Sequence, residues 1–202
     1  MNLIKLLMIN LFLLFISVNS FSNDNVLKYL ENNPNYSYFY KLIKKAKYEK
    51  LFLEETKFKK VLYIPTNKAF DNLPIKLKNY IWDVNDSTAA KKVIQTHLFA
   101  GSIKKAFKDP SKKVVIIERV EINNERVKIY SNQDLFVKDM VQKESKILKD
   151  NFEIIPVSCV MYLQPSFDDN RLNDKEKRES FITSCCMLTS DEVNNFIKND
   201  LI

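Results

Sequence analysis

The 202-residue chain contains one glycine and one histidine, and each scarcity excludes several kinds of functional site. Dinucleotide-binding fingerprints and phosphate-binding P-loops need several glycines, because their backbone amides must approach phosphates closely. The nucleophile elbow of hydrolases needs two. A metal site made of several histidines is excluded by count, and no Arg-Gly-Asp sequence occurs. We therefore expect no catalytic residue, no cofactor and no bound metal.

His97 is the single imidazole, so any mechanism that depends on histidine must use it. Asp86 or Ser87 can cap a helix that runs to about Leu98. On that helix His97 shares a stripe with apolar residues at helical spacing, namely Ala89, Ala90, Val93, Ile94 and Leu98. The stripe predicts a buried, neutral histidine that bonds to backbone. No carboxylate or nucleophile can be placed beside it from the sequence.

The N-terminal apolar run, Leu6–Val18, is shorter than the ~20 residues of a membrane span. Lys5 precedes it and small residues follow near Ser20 and Ser22, which is the order of a secretory signal. We expect residues 1–20 to be a signal peptide cleaved after Ser20, with cleavage after Ser22 as the second choice and an uncleaved anchor as the alternative. The mature protein is then exported to a periplasm, a cell surface or the medium.

The net charge of +7 is unevenly distributed. Residues 166–202 carry a net charge of −3, and the remainder without Lys5 carries +9. A basic domain with an acidic tail is consistent with attraction to an anionic lipid surface or polysaccharide, although solvated lysines in a lysine-rich chain give the same pattern. Nucleic acid is not expected as a partner, because the chain has no recognisable binding motif.

Three cysteines, Cys159, Cys185 and Cys186, leave an odd thiol in a chain expected to be exported. Adjacent cysteines pair poorly, so a bridge from Cys159 to Cys185 or to Cys186 is the possible disulfide. Such a bridge would attach the tail to the last strand of the central region. The alternative is three buried thiols that act as small apolar residues.

A strand followed by a short capped helix is the most informative segment of the sequence. The apolar strand Val61–Ile64 should stop at Pro65, because proline cannot donate to a sheet ladder. Thr66 or Asn67 can then cap a helix whose apolar face carries Ala69, Phe70 and Leu73, before Pro74. This order of strand, Pro-Thr, Ala-Phe and Leu-Pro resembles the first signature of fasciclin-type (FAS1) domains.

Two further segments carry the resemblance. His97 and Gly101 match the family's His-x-x-x-Gly element, and the resemblance implies that the histidine has a structural role. Gly101 is expected to supply a positive φ or a close backbone approach after the helix. The last signature is degraded: in Asn151–Met161 the family's glycine, histidine and aspartate are replaced by Phe152, Ile155 and Ser158.

The pattern of elements predicts an α+β domain over residues 25–165. Helices on either side of Pro34 precede the first strand, with apolar stripes at Val26, Leu27 and Leu30 and at Phe39, Leu42, Ile43 and Ala46. A short helix is expected between Pro74 and Trp82. Strands are expected at Val114–Ile117, Arg126–Tyr130, Leu135–Val141 and Phe152–Leu163, with a turn at Asn123–Asn124 and a bulge or edge position at Pro156. The resemblance implies a β-wedge of two packed sheets with helices along one side.

The tail, residues 166–202, is expected to form a helical hairpin. Asn173–Glu176 and Thr189–Glu192 both resemble capping boxes. The first would open a helix with Phe181, Ile182, Cys185 and Cys186 on one face, and the second a helix with Val193, Phe196, Ile197 and Leu201. We expect the hairpin to pack on its own domain, with another chain or a membrane surface as the alternatives.

The resemblance implies an exported, non-enzymatic binding or adhesion module. Its expected partners are an envelope or extracellular-matrix protein, a polysaccharide or an anionic surface, with membrane contact at most peripheral. The alternative is a periplasmic or secreted assembly protein that docks a partner chain, or a second copy of itself, through the tail hairpin.

Overall fold

The computed structural model describes residues 25–56, 58–101, 116–122, 125–131, 135–136, 146–147, 152–165, 174, 181–185 and 189–198. The expected signal peptide at residues 1–20, the turn at 123–124 and Cys186 lie outside these residues. No helix in the described ranges has both the length and the apolar character required to cross a membrane.

Helices dominate the first half of the described chain and strands the second. The helices are α1 (Val26–Asn32), α2 (Ser37–Ala46), α3 (Glu49–Leu53), α4 (Asn67–Asp71), α5 (Ile75–Ile81), α6 (Thr88–Gln95) and α7 (Ser190–Lys198). A 3₁₀ turn, Pro34–Tyr36, separates α1 from α2. The strands are β1 (Lys60–Pro65), β2 (Leu98–Ala100), β3 (Ile116–Ile122), β4 (Glu125–Ser131), β5 (Leu135–Phe136), β6 (Lys146–Ile147), β7 (Phe152–Val157), β8 (Met161–Pro165) and β9 (Phe181–Cys185).

The strands form a six-stranded sheet in the order β3-β4-β2-β1-β7-β6 and a three-stranded sheet in the order β5-β9-β8. In the larger sheet β1 pairs antiparallel with β2 and parallel with β7. Mixed sheets and helices confirm the α+β class. The wedge, in which the smaller sheet packs against the larger one, stays a prediction.

The central strand β1 is buried on both faces. Leu62 and Ile64 join the core formed with the helices, whereas Val61 and Tyr63 lie outside that cluster and are equally buried. Successive side chains of a strand point to opposite faces, so the helices cover one face of the sheet and other parts of the chain cover the opposite face. The apolar stripe predicted for α2 is buried in the helical core.

The expected single strand Phe152–Leu163 is wrong, because the structure divides it into two strands in different sheets. β7 ends at Val157 in the larger sheet, and β8 begins at Met161 in the smaller one. Pro156 pairs with Ile64 of β1, and the described residues of β6 pair with Glu153 and Ile154 on the other side of β7. The expected bulge or edge position at Pro156 stays a prediction, because the residues that precede β6 lie outside the described ranges.

The expected helical hairpin of residues 166–202 is also wrong. Asp174 is helical and residues 175–180 lie outside the described ranges, but Phe181–Cys185 is strand β9, which pairs with β8 and β5. A short apolar run fits helical and extended spacing alike, and pairing between two neighbouring strands decides between them here. The tail thus completes the smaller sheet.

The second half of the tail prediction is confirmed, since α7 begins with a capping box. The Thr189 N–H donates to Glu192 Oε2 at 3.0 Å, and the Glu192 N–H donates to Thr189 Oγ1 at 3.2 Å. Val193 and Phe196 of this helix are buried in the core of the same chain. The expected packing of this helix on its own domain is therefore observed.

Candidate functional site

The signature segment between β1 and α5 is a structural corner. β1 ends at Pro65, and Thr66 is the N-cap of α4, with its Oγ1 accepting the Ala69 N–H at 3.3 Å. Pro74 is the N-cap residue of α5. The apolar members of the signature, Ala69, Phe70 and Leu73, are all buried. None of these side chains presents a reactive group at the surface.

Asn67, in the middle of this corner, bridges to the start of α2. Its Nδ2 donates to Pro34 O at 2.7 Å and to Ser37 Oγ at 2.9 Å, and its Oδ1 accepts the Tyr38 N–H at 3.0 Å. The amide therefore satisfies a helix N-terminus far away in sequence, rather than capping the helix on which it lies. Sequence reasoning missed this role because the contact is not local.

His97 is completely buried, between the end of α6 and the start of β2. Its Nδ1 lies 2.5 Å from Val93 O, and its Nε2 accepts the Met161 N–H at 3.0 Å. A carbonyl can only accept, so Nδ1 carries the proton and the ring is neutral. The His97 backbone O also accepts the Tyr63 N–H at 2.9 Å, which ties the residue to β1.

Thr96 and His97 together bind the peptide groups of Met161. Thr96 Oγ1 lies 3.0 Å from Met161 O, while His97 Nε2 takes the N–H of the same residue. Met161 is the first residue of β8, so these two adjacent side chains connect the end of α6 to the smaller sheet. We call this arrangement the Met161 clamp.

Burial lowers the pKa of His97 from its usual 6.5 to about 4, and the bond from the ring to Val93 O opposes that shift. Both ring nitrogens are occupied by backbone partners. At neutral pH the imidazole therefore has no free lone pair for a proton transfer or a metal ion. Within the described ranges no group of three or more histidine, cysteine, aspartate or glutamate side chains is placed to hold a metal ion.

Gly101, the other end of the His-x-x-x-Gly element, has a φ of 128°. A residue with a Cβ avoids this conformation, which explains why the single glycine of the sequence stands here. Its N–H donates to Lys59 O at 2.7 Å, just before β1 begins. Gly101 therefore closes the β1–β2 pair.

Cys159 lies in the bend between β7 and β8, where it is buried and disulfide-bonded. The other two cysteines of the chain are Cys185, at the end of β9, and Cys186. Which of them is the partner of Cys159 stays a prediction. With Cys185 the bond links the bend beside the Met161 clamp to the last residue of β9, and with Cys186 to the residue that follows.

Two lysines, Lys60 and Lys92, are buried, and sequence reasoning missed both of them. Lys60 Nζ donates to Leu51 O at 2.8 Å and to Glu54 O at 2.7 Å, and burial lowers its pKa to about 8. In each case the sequence pattern indicated that the lysine lies on a buried face. Lys60 is in phase with the buried residues of β1, and Lys92 lies on the buried stripe of α6 that also carries Val93 and Thr96.

Lys92 binds the end of the last helix to the domain. Its Nζ donates to Phe196 O and Ile197 O, at 3.1 Å each, and lies 5.7 Å from the ring centre of Tyr80. A positively charged ammonium at the carbonyls of a helix C-terminus also interacts favourably with the negative end of the helix dipole. The apolar face of α7 is therefore occupied by its own domain.

A recess of about 240 Å³ on the described surface has a mainly charged and polar lining. It lies where the end of α2, the start of α6 and the first residue of β4 meet, and its lining comprises Lys45, Ala46, Lys47, Ser87, Lys91 and Glu125. Sequence reasoning assigned positive charge to the central region and did not locate it. The lining residues come from three segments that are distant in sequence, 45–47, 87–91 and 125, so only the fold brings these segments together.

Comparison with protein families assigns the described fold. The family model of the Fasciclin domain matches residues 34–163, which is more than half of the chain. This range begins at the 3₁₀ turn before α2 and ends within β8, so it contains both the signature corner and the Met161 clamp. No curated protein matches the chain.

Proposed function

The chain belongs to the Fasciclin domain family, and on that basis we propose that it is an exported, non-enzymatic binding or adhesion module. Fasciclin domains are generally binding modules without enzymatic activity. The proposed ligands are components of the cell envelope or extracellular matrix: proteins, polysaccharide or the surface of an anionic membrane.

The state of His97 is the observation that carries the non-enzymatic part of the proposal. The single histidine is buried and neutral, and backbone groups occupy both its nitrogens. Among the signature residues, Thr66 caps α4, Pro74 is the N-cap residue of α5, and Gly101 follows β2 and bonds to Lys59. The motif residues that identify the family therefore have structural roles. We expect ligand contacts to come from other residues, on the surface.

The alternative proposal, docking of a partner chain through a tail hairpin, has less support from the described part of the tail. Phe181–Cys185 is paired on both sides within the smaller sheet, and the apolar face of α7 packs against its own domain. A partner that used the apolar face of α7 would first have to displace the helix from Lys92 and its aromatic neighbours Tyr80 and Tyr162.

Binding is tested with the full mature chain and envelope material of its natural host, fractionated into protein, polysaccharide and lipid. We expect saturable retention of the folded chain by at least one of these fractions and none of the heat-unfolded chain. Equal retention of folded and unfolded chain, or no saturable retention by any fraction, would contradict a folded binding module.

Export is tested separately, by the N-terminal sequence of the protein recovered from outside the cytoplasm of its host. Cleavage after Ser20 predicts an N-terminus at Phe21, and the second choice predicts Asn23. A protein that remains in the cytoplasm with residues 1–20 intact would remove the exported part of the proposal.

A further inference from the structure

The recess between α2, α6 and β4 has the properties of a site for a negatively charged group. Its volume of about 240 Å³ exceeds more than tenfold the ~10–15 Å³ that one water molecule requires. Its lining carries three lysines and one carboxylate, Glu125. The exposed Asp86 lies close enough for Lys45 and Lys91 to lower the pKa of its carboxyl, after the larger effect of its hydrogen bonds to Thr88. The local balance therefore stays positive even when Asp86 is included.

Two of the lysines are held in place by the protein itself. Lys45 Nζ donates to Ile81 O at 2.9 Å and also to Asp83 O. Lys91 Nζ pairs with Glu125 Oε1, and Glu125 Oε2 accepts the Tyr48 O–H at 3.1 Å. An ammonium has three N–H donors, so each lysine keeps at least one for a ligand. Donors fixed before binding lose less entropy when a ligand arrives.

Lys47 contributes the third charge from an unusual backbone position. It ends α2 with a φ of 58°, and it is the sole non-glycine residue of the described ranges with a positive φ. Glycine or asparagine usually occupies this position, because a residue with a longer side chain pays about 1–2 kcal/mol for the left-handed conformation. Lys47 therefore places a third positive charge in the lining of the recess, beside Lys45 and Lys91.

We propose that this recess binds an oxyanion group, a sulfate or a carboxylate, carried by an acidic polysaccharide. The inference rests on the proposed function and names the ligand class and the site. Binding to an anionic membrane relies on protruding lysines and on apolar side chains that enter the bilayer. Here Lys91 lies in a concavity with its side chain only 26% exposed, and none of the described residues that line it is large and apolar. A flexible polymer can place a charged group into such a recess without the apolar insertion that anchors a protein to a bilayer.

The test measures binding of the full chain to dextran sulfate and to polygalacturonate, with neutral dextran as the uncharged polymer. Lys47→Asn removes one charge and keeps a residue that tolerates the left-handed conformation, so this variant is expected to fold. Lys68→Asn is the matched control, because Lys68 is exposed on α4 and does not line the recess. Lys91→Gln gives a second reading of the site that does not depend on the α2 terminus.

We expect both acidic polymers to bind and neutral dextran not to bind. Lys47→Asn and Lys91→Gln should each weaken binding by about two- to fivefold, as the loss of one partly exposed charge contact does, whereas Lys68→Asn should change it by less. Equal weakening by Lys47→Asn and Lys68→Asn would overturn the site, because it would show attraction to net charge alone.

Three further arms identify the source of the charged group. Inorganic sulfate that competes as well, per sulfate group, as the polymer would show a site for the free ion. Tighter, Lys47-dependent binding to phosphatidylglycerol vesicles than to either polymer would show a lipid site, and either result overturns the polysaccharide assignment. Undiminished retention of Lys47→Asn by envelope fractions, together with no binding to acidic polymers, would remove this inference and leave the proposed function intact.

Discussion

At the residue scale, the Met161 clamp shows why a threonine precedes the histidine. Thr96 is buried, and its hydroxyl lies within hydrogen-bond distance of Met161 O, whereas the protonated Nδ1 of the imidazole donates to Val93 O. The hydroxyl has one proton and lies 3.0–3.1 Å from the carbonyls of Met161, Val93 and Lys92, and the imidazole accepts the Met161 N–H. The sequence predicted burial of His97 from its stripe, but the partner lies 64 residues away and no periodicity reports such a contact.

Replacing Thr96 with valine should destabilise the fold without changing its shape. The substitution keeps the volume and removes the buried hydroxyl, so we expect the free energy of unfolding to fall by about 1–3 kcal/mol. Thr96→Ser keeps the hydroxyl and loses one methyl group, with an expected cost of about 1 kcal/mol or less. Urea unfolding of both variants measures the difference, and a valine variant as stable as the serine variant would show that the buried hydroxyl does not stabilise the fold.

His97 should make the stability of the chain depend on pH. In the unfolded chain the imidazole takes up a proton below about pH 6.5, whereas in the fold it does so only below about 4. Between these values the unfolded state binds more protons, so stability decreases as the pH falls. From pH 7 to pH 5 this group should cost about 2 kcal/mol. The loss, measured by urea unfolding at both pH values, should be smaller by that amount in His97→Gln, and an equal pH dependence in both proteins would contradict the depressed pKa.

At the element scale, local and non-local signals differ in what they predict. Pro65 ends β1 and Thr66 caps α4 through contacts within a few residues, so the sequence alone is enough to place them. The divided strand at 152–163 and the strand at 181–185 depend on pairing between segments far apart. Apolar composition predicts that these segments are buried. It does not predict which sheet they join, or whether they form a strand or a helix.

Lys92 is expected to fasten α7 to the domain. Lys92→Met removes the ammonium from the carbonyls of Phe196 and Ile197, and the loss of a charged hydrogen bond costs about 1.5–3 kcal/mol. Hydrogen exchange should show faster exchange in α7 and little change in α2. Lys76→Met, which loses an exposed bond to Asn194 of the same helix, should cost about 0.5 kcal/mol or less. Equal protection of α7 in both variants would contradict the role of Lys92.

At the scale of the whole molecule, the described segments of the tail are joined to the rest of the chain. β9 joins the smaller sheet, α7 packs on the helical core, and the Cys159 disulfide links this region to the bend between the two sheets. The family match ends within β8, so the resemblance to the family predicts nothing about the residues that follow. Three cysteines allow one disulfide within the chain. Which cysteine pairs with Cys159 depends on the tertiary structure.

The disulfide should contribute to stability through one of two cysteines. Cys185→Ser or Cys186→Ser, whichever removes the partner of Cys159, should lower the free energy of unfolding by about 3 kcal/mol under the chain-entropy model. The other variant should be close to the unsubstituted chain. Thiol labelling of the oxidised, unfolded chain should find one free cysteine of the three. Three free thiols, or two variants of equal stability, would contradict a single bridge.

The most direct test of the central claim is nuclear magnetic resonance of the imidazole of His97, which needs no assignment because the chain has one histidine. The claim is that this residue is part of the fold and has no free nitrogen for chemistry. It predicts a proton on Nδ1, an unprotonated Nε2 and no titration between pH 8 and pH 5. A midpoint near pH 6.5, or a proton on Nε2, would show an accessible imidazole and contradict the account of a structural histidine in a binding module.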